Sequence, residues 1–104
     1  MATIGALQSS WAQLGQTLGN ACSGTTGNVG SQCTGAIFRH AQISGRVADW
    51  NALPADDARY NSVIAALNGA RQQLSGASND PGPMLGALAS ANNAMSMVEA
   101  LLNG

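Results

Sequence analysis

Charge is what this sequence lacks most. Of 104 residues, four are basic and five acidic, so 9% of side chains are charged and the formal net charge is −1. All four bases are Arg, and Lys is absent. Soluble domains average about 25% charged residues. A nucleic-acid surface needs a clustered basic footprint, which four scattered Arg do not form. A disordered tail of one sign needs net charge, and there is almost none. A single His and two Cys do not supply a four-ligand structural metal site. Long apolar runs are missing as well: the richest stretch, Met84 to Leu102, is interrupted by Asn92, Asn93 and Glu99, so no spanning helix is expected. Met1 to Leu7 has neither the positive start nor the apolar run of a secretory leader. Aromatics are 4% of the chain, and Val, Ile, Phe, Tyr and Trp never alternate over a strand's length, so strands are not expected.

What is present is small and uncharged. Gly is about twice as frequent as usual. The surface must therefore be built from Gly, Ala, Ser, Thr, Asn and Gln. The length allows one domain.

Apolar residues recur with a helical period. Ile4, Leu7, Trp11, Leu14 and Leu18 are spaced 3, 4, 3, 4, which predicts a helix over about 3–19 with Thr3 as N-cap. A second helix is expected over 34–50, burying Ile37, Phe38, Ala41, Val47 and Trp50. Pro54, Asp56 and Asp57 suit a helix N-terminus. Tyr60, Val63, Leu67, Ala70 and Leu74 then predict a third helix over 55–75, ending near Gly76. Ala77 to Pro83 reads as a stiff turn. Met84, Leu88, Ala91, Met95, Val98 and Leu102 form the longest stripe and predict a fourth helix over 84–102. The expected fold is all-α: about four short helices in a small bundle that ends in an antiparallel hairpin.

Residues 20–33 read as a loop, because the ten positions between Cys22 and Cys33 hold three Gly and one apolar residue. A disulfide across it would stabilise the fold by roughly 2–3 kcal/mol and implies an oxidising, extracellular or cell-surface location.

Chemistry is hard to find. A pairing of His40 with a Cys thiol is one reading, but an amphipathic helix-edge position accounts for the residue without chemistry and is the preferred one. Asp56 and Asp57 are accounted for by the helix dipole, and Glu99 by solvent. Gly24 to Gly30 lacks the Lys and the preceding strand of a phosphate-binding loop. Met84, Met95 and Met97 fit either core or an adaptable face. Trp11 and Trp50 fit core or interface anchors. No catalytic set emerges, and neither an enzyme nor a cofactor is expected.

Small residues and missing charge fit a subunit covered by copies of itself, since burying Lys or Glu is costly and burying Ala or Gly is not. The contact faces would be Ile4–Leu18 and Met84–Leu102, if these stripes do not serve as core. Val63-Ile64-Ala65-Ala66-Leu67-Asn68-Gly69, followed by Leu74-Ser75-Gly76-Ala77-Ser78-Asn79-Asp80-Pro81-Gly82-Pro83-Met84-Leu85-Gly86-Ala87-Leu88, resembles the helical hairpin of type III secretion needle and pilus subunits. That resemblance implies a small subunit polymerising through its C-terminal helix. It covers residues 63–88. The stretch after Pro83 is shorter than that family's C-terminal helix, and the chain up to Trp50 has no counterpart in it. Trp50-Asn51-Ala52 is similar to the turn of small secreted helical hairpins, without their Gly. Two other readings share the composition: a viral or phage coat subunit, and a secreted helical bundle that binds an apolar ligand or a partner helix.

Treating the unreduced protein with iodoacetamide should add no alkyl group, and treating it after reduction should add two. Any alkylation before reduction contradicts the predicted disulfide.

Overall fold

The computed structural model describes residues 1–77 and 80–104. It is all-α in broad terms, with five helices and one minimal sheet among the described residues: β1 (Ala2–Thr3), α1 (Ile4–Ala21), α2 (Gly27–Ser44), α3 (Val47–Asn51), β2 (Asp56–Asp57), α4 (Arg59–Gly76) and α5 (Pro81–Asn103). The long axis measures 40 Å against 22 and 17 Å across.

The 3, 4 spacing of apolar residues aligns them on one side of each long helix. α1 buries Leu7, Trp11, Leu14 and Leu18; α4 buries Tyr60, Val63, Leu67, Ala70 and Leu74. α5 buries Met84, Leu88, Ala91, Met95, Val98 and Leu102, and adds Ala87, Ala94 and Leu101. α4 packs along both α5 and α1, and these faces form one continuous core. Thr3 caps α1, its hydroxyl oxygen accepting from the Ala6 amide at 3.1 Å.

The second helix departs from expectation. Instead of 34–50, α2 starts at Gly27 and stops at Ser44, and the separate single-turn α3 follows a break at Gly45-Arg46. Much of the expected loop is thus helix. Gly27 takes the left-handed backbone, with positive φ, that turns the chain into α2 after an extended Thr26. Three Gly in α2 each cost about 1 kcal/mol relative to Ala, so intrinsic preference alone gives this segment little helix. Attachments elsewhere hold it. Cys22, at the end of α1, and Cys33, in the second turn of α2, are disulfide-bonded with Cα atoms 5.7 Å apart. The bond closes a turn plus a helix start. Thr25 tightens the turn, its hydroxyl donating to the Cys22 carbonyl at 2.7 Å.

The buried face of α2 also differs. Cys33, Ala36 and Ile43 point inward with half-buried His40 between them, whereas Ile37 is 42% exposed and Phe38 63%. Val47, also expected in the core from sequence, is 59% exposed; Trp50 is buried. The disulfide fixes the rotation of α2 by turning Cys33 inward. Ala36, His40 and Ile43 follow it at helical spacing, Phe38 falls on the far side, and Ile37 lies on the flank.

The strands were not expected. Ala2 pairs with Asp57 and Thr3 with Asp56, antiparallel, and the Ile4 amide donates to the Ala55 carbonyl at 2.8 Å. The pairing pins the chain's start beside α4 and delays that helix from 55 to Arg59. Pro54, Asp56 and Asp57 therefore precede the helix. Asp57 accepts from the Arg59 amide at 2.7 Å and pairs with its guanidinium, which holds the carboxyl below its usual range. Tyr60 donates its hydroxyl to the Pro54 carbonyl at 2.7 Å. α5 begins at Pro81 rather than 84, because proline's fixed φ and missing N–H suit the first helical turn. Of the expected turn 77–83, Ser78 and Asn79 lie outside the described residues; Gly76 is the last residue of α4, not a residue beyond it.

Leu88→Asp or Val98→Asp should remove more than about 4 kcal/mol by burying an unpaired carboxylate, abolishing the cooperative thermal transition. Leu85→Asp, on the partly exposed side of the same helix, should shift stability by under about 1 kcal/mol. Equal effects at Leu85 and Leu88 in chemical denaturation would contradict this placement of the α5 face.

Candidate functional site

Polar groups concentrate where α2 meets its neighbours. On the α1 side, the His40 ring stacks on the Trp11 indole with centroids 4.1 Å apart and 11° between planes. The ring fits because residue 15 is Gly: a Cβ there would sit 2.5 Å from His40 Cε1. His40 Nε2 lies 2.8 Å from the Trp11 carbonyl oxygen, an acceptor only, so Nε2 carries the proton. Trp11 Nε1 donates to Ser44 Oγ at 2.9 Å, and Ser44 donates to the His40 carbonyl at 2.7 Å. Burial pushes the His40 imidazole below its ordinary value, partly offset by the bond to the Trp11 carbonyl.

On the α5 side, Arg39 spreads its guanidinium over one stretch of helix. Nε donates to Glu99 at 3.0 Å, Nη1 to the Asn92 carbonyl at 3.1 Å, and Nη2 to Ser96 at 2.9 Å and to Glu99. Glu99, expected in solvent from sequence, is thus the anchor of α2. At the end of α2, Arg46 pairs with Asp49 and donates to Asn103 at 2.7 Å, and Trp50 Nε1 donates to the Ile43 carbonyl at 2.9 Å. The planar fork of Arg suits such multiple recognition, which a Lys would not provide. The pair with Glu99 is about one-third exposed on each side, so it contributes position more than stability.

Most of the residues singled out from sequence fall in the core. Leu7, Trp11, Leu14, Leu18, Met84, Leu88, Ala91, Met95, Val98 and Leu102 are all buried within the chain, and Ile4 is partly buried against them. Met84 and Met95 fill core space, and Met97 packs beside them. Cys22 and Cys33 are joined, so neither sulfur is a thiolate partner for His40. Among the described residues no three of His, Cys, Asp and Glu converge on a metal-sized site. No helix there is long and apolar enough to cross a membrane.

What sequence reasoning missed is the outer arc of α2. At the helical period, Thr34, Phe38, Ala41 and Gly45 fall on the side away from Cys33, Ala36, His40 and Ile43, and Ile37 lies on the flank between the two. None of the five is charged, and Ile37, Phe38 and Ala41 are exposed at its centre. A groove of about 250 Å³ lies at the α1–α3 end, lined by Gln8, Trp11, Ser44, Val47, Trp50 and Asn51. The signal for the seam was Gly15, which interrupts no stripe and leaves a notch one turn after Trp11. No family model, curated protein or solved structure matches the chain.

Gly15→Ala should cost about 1–3 kcal/mol, because the His40 ring must move. In a His40→Ala background the same change should become stabilising, by up to about 1 kcal/mol of helix preference. Equal effects in both backgrounds, measured by urea denaturation, would show that the ring does not occupy the notch.

Proposed function

We propose that this chain is a self-assembling structural subunit of an extracellular or exported filament, tube or shell, with copies of itself as its partners. In this reading the core is a small helical bundle, and α4 and α5, joined by a short connection, form its antiparallel hairpin. The observation that carries the proposal is the outer arc of α2: Phe38 is 63% and Ile37 42% exposed on a face without charge. Removing a Phe from water is among the larger single contributions to association. A copy of the same chain fits that face because it brings little charge to desolvate. Three of the four Arg are already paired within the chain, to Glu99, Asp49 and Asp57.

The contact face differs from the one that the needle-subunit resemblance implies. The α5 stripe is spent on the chain's own core, so the proposed contacts move to α2. The disulfide fits an oxidising compartment. A viral or phage coat would use the same surfaces. The alternative, a secreted helical-bundle module for an apolar ligand or partner helix, finds its best support in the Trp11–Trp50 groove. That groove holds about 250 Å³, and the larger hollows, about 470 Å³ beside Thr25 and Thr34 and about 430 Å³ between Gln73 and Ala87, are wide open to solvent rather than enclosing. Ligand sites bury most of their ligand, and the assembly reading is preferred.

Sedimentation velocity and electron microscopy over a range of concentrations should show particles much larger than the 10.4 kDa chain, growing in share with concentration. Phe38→Ser should leave thermal stability within about 0.5 kcal/mol and return the protein to monomer. A wild-type monomer at millimolar concentration would reject the proposal, and assembly unchanged in Phe38→Ser would reject this face.

A further inference from the structure

We propose that His40 is an acid-sensitive latch between α2 and α1, released as the pH falls below neutrality, and that it works whether or not the chain assembles. Of the four long helices, α2 is the one best placed to open. It contributes only Cys33, Ala36 and Ile43 to the buried set, against nine residues from α5. Its contact with α1 is lighter than that of α4 with α1 or α5. Weakly buried elements of this kind open first, as local units, while the rest of a fold stays closed.

The seam that holds α2 to α1 half-buries the imidazole without a counter-charge, which favours its neutral form. Nε2–H is committed to the Trp11 carbonyl at 2.8 Å. A second proton would sit on Nδ1, and its nearest acceptor there is Ser44 Oγ at 3.5 Å, longer than an effective bond. That hydroxyl accepts from Trp11 and donates to the His40 carbonyl, and its remaining lone pair is a weak acceptor at that length. Charge compensation is missing on every side. α1 has no charged residue. On α5 the acid is Glu99, which Arg39 engages, and on α3 Asp49 is engaged by Arg46. Arg39 on α2 itself carries the same sign as an imidazolium. No ion pair among the described residues includes His40. The Trp11 face attracts an imidazolium, but a half-buried ring loses more from shed water, and burial is the largest influence on this group, pushing it toward the neutral form.

The direction follows from proton linkage. When α2 lifts, the ring meets water and regains its ordinary value near 6.5. The open state then binds more protons than the closed state, so opening is favoured as the pH falls through and below about 6.5. At pH 7.5 both states are neutral and the latch is fully closed. The disulfide keeps the opened helix tethered at Cys33.

Amide hydrogen exchange by mass spectrometry, corrected for intrinsic rates, tests this at pH 7.5 and 5.5. Protection over 27–44 should fall, by at most about ten-fold, the ceiling for one group protonating a full unit below 6.5. Core amides of α4 and α5 should not change, and His40→Gln should flatten the response. Unchanged protection of α2, an equal loss in every helix, or a full response in His40→Gln would overturn the latch. Should His40→Gln fail to fold, the wild-type His40 Cε1 proton resonance decides: a titration midpoint below about 6.5 supports the latch and one at or above it overturns it.

Discussion

The structure depends on how a helix that cannot form on its own is kept in place. α2 carries Gly27, Gly30 and Gly35 in its first half, and a segment so poor in helix formers is marginal in water without tertiary support. Its support comes from three directions. The Cys22–Cys33 bond fixes its start, the His40–Trp11–Ser44 seam fixes it to α1, and Arg39 fixes it to α5. Each uses a residue type that the chain has in very small number. The scarcity of charge is thereby explained in part: most of the Arg present serve to hold elements together, so little charge remains for the surface.

These attachments decide what faces outward. Once Cys33 is turned toward α1, helical geometry places Ala36, His40 and Ile43 inside, Phe38 and Ala41 outside, and Ile37 on the flank, where it stays exposed. The exposed apolar arc and the half-buried imidazole are two sides of one rotation. The arc supports the assembly reading, and the imidazole supports the acid response. They fail independently, because one concerns what meets the outer side of α2 and the other what releases its inner side.

The α1, α4 and α5 stripes are legible in the sequence because an apolar period of about 3.5 survives any detail of packing. Leu14, Leu67 and Leu88 need no partner to be read as inward-facing. Whether those stripes close within the chain or between chains is not legible, since both give the same period. α2 is illegible for the opposite reason. Gly27 to Cys33 looks like a loop by composition and is helical because of bonds made to other elements. Phe38 and Ile37 read as inward because apolar residues usually are, and only the disulfide's geometry corrects that. The short pairing of Ala2 and Thr3 with Asp57 and Asp56 leaves no pattern at all, being confined to two positions on each side. The His40 site needs Gly15, a position on another helix that adds nothing to any stripe.

Assembly requires that the outer face of α2 be covered by a second copy. Hydroxyl-radical footprinting read by mass spectrometry at low and high protein concentration addresses that face without altering the sequence. Oxidation of Phe38 should drop steeply as concentration rises, while that of Met1, 85% exposed and outside the proposed contact face, stays constant. Equal oxidation of Phe38 at both concentrations would contradict the proposed assembly.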